Sequence, residues 1–355
     1  MRKFLLGLAV AAAIAVTWRH YSVPVAPVGA NPPQAKADTL PMTTVLRVRP
    51  DGAMPAAPAG GAGVTRRVES ADLAQYRSRR DYAALYARVS REAGAGEAGY
   101  IAAEIYYRCA RHDDTASGAP DAAAARAQFQ ATIARAGSQA DTRAAAYARL
   151  DGSSACAGLD FGAYDAKAYA EMLRASADAG YAAASARLLA DRIVRDTNVA
   201  QQSANHGSGY SVSPDTLAQM TALLASGDPD VIQSLSGILA STIAGGVVQL
   251  AGEDVEAFPM HAAMTLLACD AGADCGGDAR PILMACAYHG QCDAHNVEDF
   301  VYYYDMSPAQ AQLVNNYRQT LRGMLGAHDF SGVTLVPTTG SSPYTYMFGG
   351  RDSGP

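Results

Sequence analysis

Tyr169-Ala170-Glu171-Met172-Leu173-Arg174-Ala175-Ser176-Ala177-Asp178-Ala179-Gly180, continuing as Tyr181-Ala182-Ala183-Ala184-Ser185-Ala186-Arg187-Leu188-Leu189, decides the fold class. Tyr169, Met172, Leu173 and Ser176 recur at three- and four-residue steps, which places them on one face of a helix. Ala179-Gly180 ends that helix. Ala182, Ala186, Leu189 and Ile193 then mark one face of a second. Helices this short do not persist alone in water, so neighbours must stack and cover each other's apolar faces.

The same pattern runs outward in both directions. Upstream, Tyr82, Leu85, Tyr86 and Val89 share a helical face, broken by Gly94 and Gly96. Tyr100, Ala103 and Tyr107 form the next stripe, with Ile101 and Ile105 beside it. Pro120 opens a third helix near Ala122, and residues 138–151 form a fourth with mostly alanine on its apolar side. Downstream, Ser213-Pro214 supplies an N-cap and a first-turn proline for a helix carrying Leu217, Met220, Thr221 and Leu224. Gly227-Asp228-Pro229 turns the chain into a partner helix with Val231, Leu235, Ile238 and Thr242, stopped by Gly245-Gly246. Further helices are expected at 259–270, 279–289, 296–305 and 308–326. Asn296 caps the third of these, and Ser307-Pro308-Ala309-Gln310 reads as a capping box for the last. Strand patterns are almost absent; Thr43-Thr44-Val45-Leu46-Arg47-Val48 alone is β-like.

One turn signal recurs between paired helices, centred on Gly94, Gly137, Gly180, Gly227 and Gly272, at intervals of 43, 43, 47 and 45 residues. Stacked helix pairs produce an interval of this kind. Ser176-Ala177-Asp178-Ala179-Gly180, with Ala184 and Leu188, resembles the Sel-one-like repeats of the tetratricopeptide superfamily, whose pattern is roughly A-A-x-x-G-x-x-x-A-x-x-x-L. Ser176 stands where the family has its first alanine, and in the first unit Ala102 stands where leucine is expected. The resemblance spans about residues 82–290. It implies a stack of helix pairs whose concave face binds other proteins, without catalysis. The expected fold is therefore all-α: an irregular α-solenoid with a disulfide-pinned C-terminal helical end.

The ends differ from the middle. Arg2-Lys3 precede an apolar, alanine-rich run to Val16, the length of an export signal and short for a membrane span. Ala13-Ile14-Ala15 and Val28-Gly29-Ala30 both fit a cleavage site, and an uncleaved inner-membrane anchor is the alternative. The expected organisation is signal peptide or anchor (1–20), Pro/Ala/Gly-rich tether (21–64), helical repeats (65–250), a Cys-rich helical end (251–329) and a disordered tail (330–355). The net charge of −6 lacks the basic footprint of a nucleic-acid binder.

Six cysteines in an exported chain point to disulfides. Four form a C-x5-C-x10-C-x5-C block: Cys269, Cys275, Cys286 and Cys292. The favoured pairing is Cys269–Cys275 and Cys286–Cys292, each joining a helix end to the loop after it, with Cys109–Cys156 tying two adjacent units. A nested pairing, Cys269–Cys292 with Cys275–Cys286, competes. The thiols of Cys286 and Cys292, with His289 and His295, could instead bind zinc, but zinc sites usually include shorter gaps.

His261 and His289 lie within expected helices and no triad or H-E-x-x-H motif surrounds them. His206-Gly207-Ser208-Gly209-Tyr210-Ser211 is the segment that most resembles a site, yet it matches neither a P-loop nor G-x-S-x-G. Tyr302-Tyr303-Tyr304-Asp305 cannot all face inward, so that helix offers a partner surface. No residue is assigned to catalysis, to a cofactor or to a metal. The functional expectation is a non-catalytic protein-binding module in the periplasm or secreted, its envelope partner unnamed. The alternative is an envelope hydrolase or ligand-binding protein using the 197–212 loop.

Overall fold

A computed structural model describes residues 69–337 except 79, 93–95, 118–119, 136, 152–153, 204–211 and 241–245. The expected signal segment, the tether, the 43–48 strand, Gly94 and the His206–Ser211 motif lie outside the described residues. The described chain is predominantly helical. It runs α1 (Ala71–Arg77), α2 (Tyr82–Val89), α3 (Gly96–Ser117), α4 (Pro120–Ala134), α5 (Ala140–Asp151), α6 (Ala166–Asp178) and α7 (Ala182–Ser203). There follow α8 (Pro214–Leu224), α9 (Pro229–Leu239), β1 (Gly246–Leu250), β2 (Glu253–Asp254), α10 (Ala257–Ala271) and α11 (Arg280–His289). The last elements are α12 (Val297–Phe300), a π-helical turn (Val301–Asp305), α13 (Pro308–Ala327) and β3 (Val333–Pro337).

Local chemistry sets most of these boundaries. The Ser213 hydroxyl accepts from the Thr216 N–H at the start of α8, with Pro214 in the first turn. Asp228 caps α9 in the same way, accepting from the Asp230 N–H. At α13, Ser307 and Gln310 form the reciprocal capping box. The recurrent glycines have a shared cause: Gly137, Gly180, Gly227 and Gly272 have φ of 65°, 87°, 68° and 112°. At Gly272 the N–H bonds to the Cys269 carbonyl and the next N–H reaches back to Ala268, a closure that a side chain with a Cβ resists.

The long helices pack in a row: α3 on α6, α6 on α7, α7 on α9, α9 on α10 and α10 on α13. One hydrophobic core runs through that row, from Leu73 in α1 to Val333 in β3. The second pair, α4–α5, is displaced from it. Instead α5 packs on α11, around a small satellite core of Ala146, Leu283, Cys286 and Ala287. Alanine-rich α4–α5 presents few large side chains, so this unit has little to contribute to the main core.

The all-α expectation holds, with little strand among the described residues, and the structure differs from the sequence reading in three details. First, that little strand lies where no strand pattern was read: β1 lies between β2 and β3 in an antiparallel sheet. Gly246 pairs with Pro337 and Leu250 with Val333. Ala251 and Gly252, at φ of 54° and 87°, make the tight turn between β1 and β2. Second, the tail does not begin at 330, because Phe330 and Val333 are buried and Val333–Pro337 is a strand; residues 338–355 lie outside the described ones. The β-branched residues of β1 and β3 suit a sheet. Third, the division at 250/251 falls inside the β1–β2 hairpin and cuts the common core, so it separates no domains.

Candidate functional site

The six cysteines form three disulfides: Cys109–Cys156, Cys269–Cys275 and Cys286–Cys292. These are the favoured pairs. Each short bridge spans a helix C-terminus that ends in a left-handed glycine, Gly272 in one case and Gly290 in the other. The C-x5-C spacing is thus the span of a last turn, its glycine cap and the returning chain. Cys286 and Cys292 are consumed in a disulfide, so their thiols are not available to a metal together with His289 and His295.

A second cluster is marked by no sequence motif. Glu104 of α3 is buried at 8% exposure. Its carboxylate accepts from the Tyr169 hydroxyl at 2.9 Å and the Tyr76 hydroxyl at 3.3 Å. Arg187 Nε lies 4.0 Å from the carboxylate and donates to the Tyr169 hydroxyl at 3.2 Å. The Arg187 guanidinium also sits 5.3 Å from the Tyr107 ring centre, and Arg108 lies 4.9 Å from that of Tyr76. Four helices, α1, α3, α6 and α7, therefore converge on one carboxylate. Burial pushes the Tyr76, Tyr100 and Tyr169 hydroxyls well above the ordinary tyrosine range, so they remain protonated donors.

Beside it, Arg77 of α1 joins Asp230 of α9 at 2.9 Å and Glu69 at 2.7 Å. Burial works against the Arg77 charge, but the two carboxylates outweigh it and raise its pKa. Burial dominates at Asp230 too, lifting it from 3.8 to about 6 despite Arg77. The sign is opposite to that of an ordinary paired carboxylate. A raised folded-state pKa means that the folded chain binds this proton more tightly than the unfolded chain. Asp230 therefore contributes stability at low pH that is lost as pH rises from about 4 through about 6. The expected measurement is the stability difference between wild type and Asp230→Asn, by urea unfolding. It falls by up to about 3 kcal/mol between pH 4 and pH 7; a difference that grows over that interval refutes the assignment.

The C-terminal helices carry a third polar network. Arg318 of α13 bonds both oxygens of Asp270, at 2.9 and 2.8 Å, and reaches Glu298 at 3.0 Å. It ties α10, α12 and α13 together at the end that the Cys269–Cys275 bridge pins. Nearby, Asn296 caps α12 as expected, its side chain accepting from the Asp299 N–H at 2.8 Å.

The three tyrosines of the π-helical turn separate by role. Tyr302 is half-buried and donates to Asn315 Oδ1 at 2.6 Å, while Tyr304 is half-buried and stacks on Phe300 with centroids 6.5 Å apart. Tyr303 points outward at 60% exposure. His261 and His289 lie on α10 and α11 as expected. Partial burial holds His261 below the ordinary histidine pKa. Among the described residues no helix is long and apolar enough to cross a membrane, and no group of His, Cys, Asp or Glu is arranged to hold a metal ion.

No protein-family model, no curated protein and no solved structure matches this chain.

Proposed function

We propose that this chain is an exported, non-catalytic module of the bacterial envelope that binds another protein through the Tyr303 face. The supporting observation is Tyr303 itself: an aromatic ring exposed at 60%, held on a turn whose neighbours Tyr302 and Tyr304 are anchored inward. Tyrosine presents contact area at little entropic cost and is enriched at protein interfaces. A π-helical turn is a frequent feature of functional positions. Three disulfides fit maturation in an oxidising compartment such as the periplasm. The resemblance to Sel-one-like repeats implies the same class of activity.

The test places a photo-reactive phenylalanine at position 303 in the native envelope, with the same group at exposed Glu171 as control. A discrete adduct from 303 and none from 171 is the expected result. Purified adduct partner should then bind wild type at least tenfold more tightly than Tyr303→Ala, with circular dichroism unchanged. Equal labelling from both positions, or equal binding by both proteins, overturns the proposal.

A further inference from the structure

β3 borders the sheet, because β1 lies between β2 and β3. The register settles which backbone groups of β3 face outward. The Ala251 N–H donates to the Gly332 carbonyl at 2.8 Å, so that pair is hydrogen-bonded, and so is every second pair after it. Thr334 and Val336 therefore turn their N–H and carbonyl groups toward Gln249 and Val247 of β1. The β1–β2 side agrees: the Val255 N–H donates to the Val248 carbonyl at 3.0 Å, so Val248 faces β2 and its neighbours face β3. Val333 and Leu335 turn their groups away from β1. The Val333 N–H is taken by the Phe330 carbonyl at 2.9 Å. Among the described residues, nothing meets the Val333 carbonyl, the Leu335 carbonyl or the Leu335 N–H on that outer side.

An edge that is kept from pairing usually carries a charge or a bulge. Val333–Pro337 has no charged side chain and its register has no bulge. Pro337 removes one donor and shortens the edge without closing it. Thr334 and Val336 face solvent. On the inward side, a cavity of about 10 Å³ lies where β3 meets α8 and α9, lined by Val212, Leu217, Ile238 and Leu335 with other apolar groups. That is room for about one methyl-sized group. A residue opposite Leu335 on an added strand has its side chain on this same face. A second copy of the chain fits poorly. Antiparallel pairing centred on Leu335 sets Val333 of each copy against Pro337 of the other, whose nitrogen carries no hydrogen for the Val333 carbonyl.

We propose that the outer edge of β3 accepts an extended, uncharged strand of another protein, antiparallel to it, with a small apolar residue opposite Leu335. The N–H of that residue donates to the Leu335 carbonyl, and its carbonyl accepts from the Leu335 N–H. The N–H two residues further on donates to the Val333 carbonyl. Main-chain bonds of this kind supply affinity, and the cavity supplies selectivity by side-chain size. The surface is separate from the Tyr303 turn, so failure of either leaves the other standing.

The probe is a blocked, fluorescent peptide, Thr-Val-Thr-Ala-Thr-Val-Thr, titrated with the full chain and followed by anisotropy. Saturable binding is expected. The same peptide methylated on the alanine nitrogen should bind at least tenfold more weakly, because it strands the Leu335 carbonyl. Leu335→Pro removes the outward N–H and leaves the β1 ladder intact; it should weaken the parent peptide at least tenfold, with circular dichroism unchanged. The peptide comparison stands even if that variant does not fold. Absence of saturable binding, or equal binding of the two peptides, overturns the proposal. A wild-type dimer in sedimentation that Leu335→Pro dissolves assigns the edge to a second copy and overturns it as well. So does binding seen only once residues 338–355 are removed, which assigns the edge to the chain's own end.

Discussion

Replacing Cys109 and Cys156 together by alanine is expected to lower the unfolding free energy by about 4 kcal/mol, on the view that a cross-link acts by restricting the unfolded chain. The bridge closes a sequence separation of 47 residues, whereas the other two close 6 each. By the same relation each short bridge contributes about 2 kcal/mol. Packing reinforces the difference. Cys109 is 2% exposed inside α3 and belongs to the main core. Its bridge also fixes the segment in which the Ala155 carbonyl accepts from the Tyr82 N–H at 2.9 Å. Denaturant unfolding of the three double-alanine variants checks the ranking. A Cys269/Cys275 variant that loses as much as the Cys109/Cys156 variant would show that local strain or helix capping, rather than loop entropy, governs these bridges.

Glu104→Leu is expected to cost about 3 kcal/mol. A buried network that loses its one acceptor leaves the remaining donors and cations uncompensated. Here the stranded groups are the Tyr76 and Tyr169 hydroxyls, and the Arg187 guanidinium keeps only Asp191, at 3.8 Å, as a carboxylate partner. Glu104→Gln retains one side-chain oxygen as acceptor and should lose roughly half as much, about 1.5 kcal/mol. Urea midpoints measure both. If leucine is tolerated within about 0.5 kcal/mol, the ordinary scatter of surface changes, then the tyrosines find other acceptors and Glu104 does not organise α1, α3, α6 and α7.

Features that depend on neighbouring residues were legible in the sequence. Ser213-Pro214, Asn296 and the Ser307–Gln310 box announced helix starts, and the structure uses each as a cap. The glycine interval announced the turns, and the C-x5-C spacing the short disulfides. What stayed hidden depends on residues far apart in the chain. β1 is a short apolar run whose main partner, β3, begins 83 residues after Leu250, so nothing local marks it as sheet. The Arg318–Asp270 contact spans 48 residues and the Glu104–Tyr169 contact 65. Glu104 did leave one trace. It falls between Tyr100 and Tyr107 on an otherwise apolar stripe, where an acid stands only if something buried answers it.

Arg143 of α5 holds the end of α11, donating to the Ala287 carbonyl at 2.9 and 3.1 Å and to Tyr288 at 3.2 Å. Its acceptors come 144 and 145 residues later. A chain emerging from a ribosome therefore delivers α5 long before its mate exists. Until residues 280–289 arrive, Ala146 has no Leu283 or Ala287 to rest against. Assembly of this protein cannot go to completion strictly from front to back; the second unit must wait, unfinished, for the last third of the polypeptide.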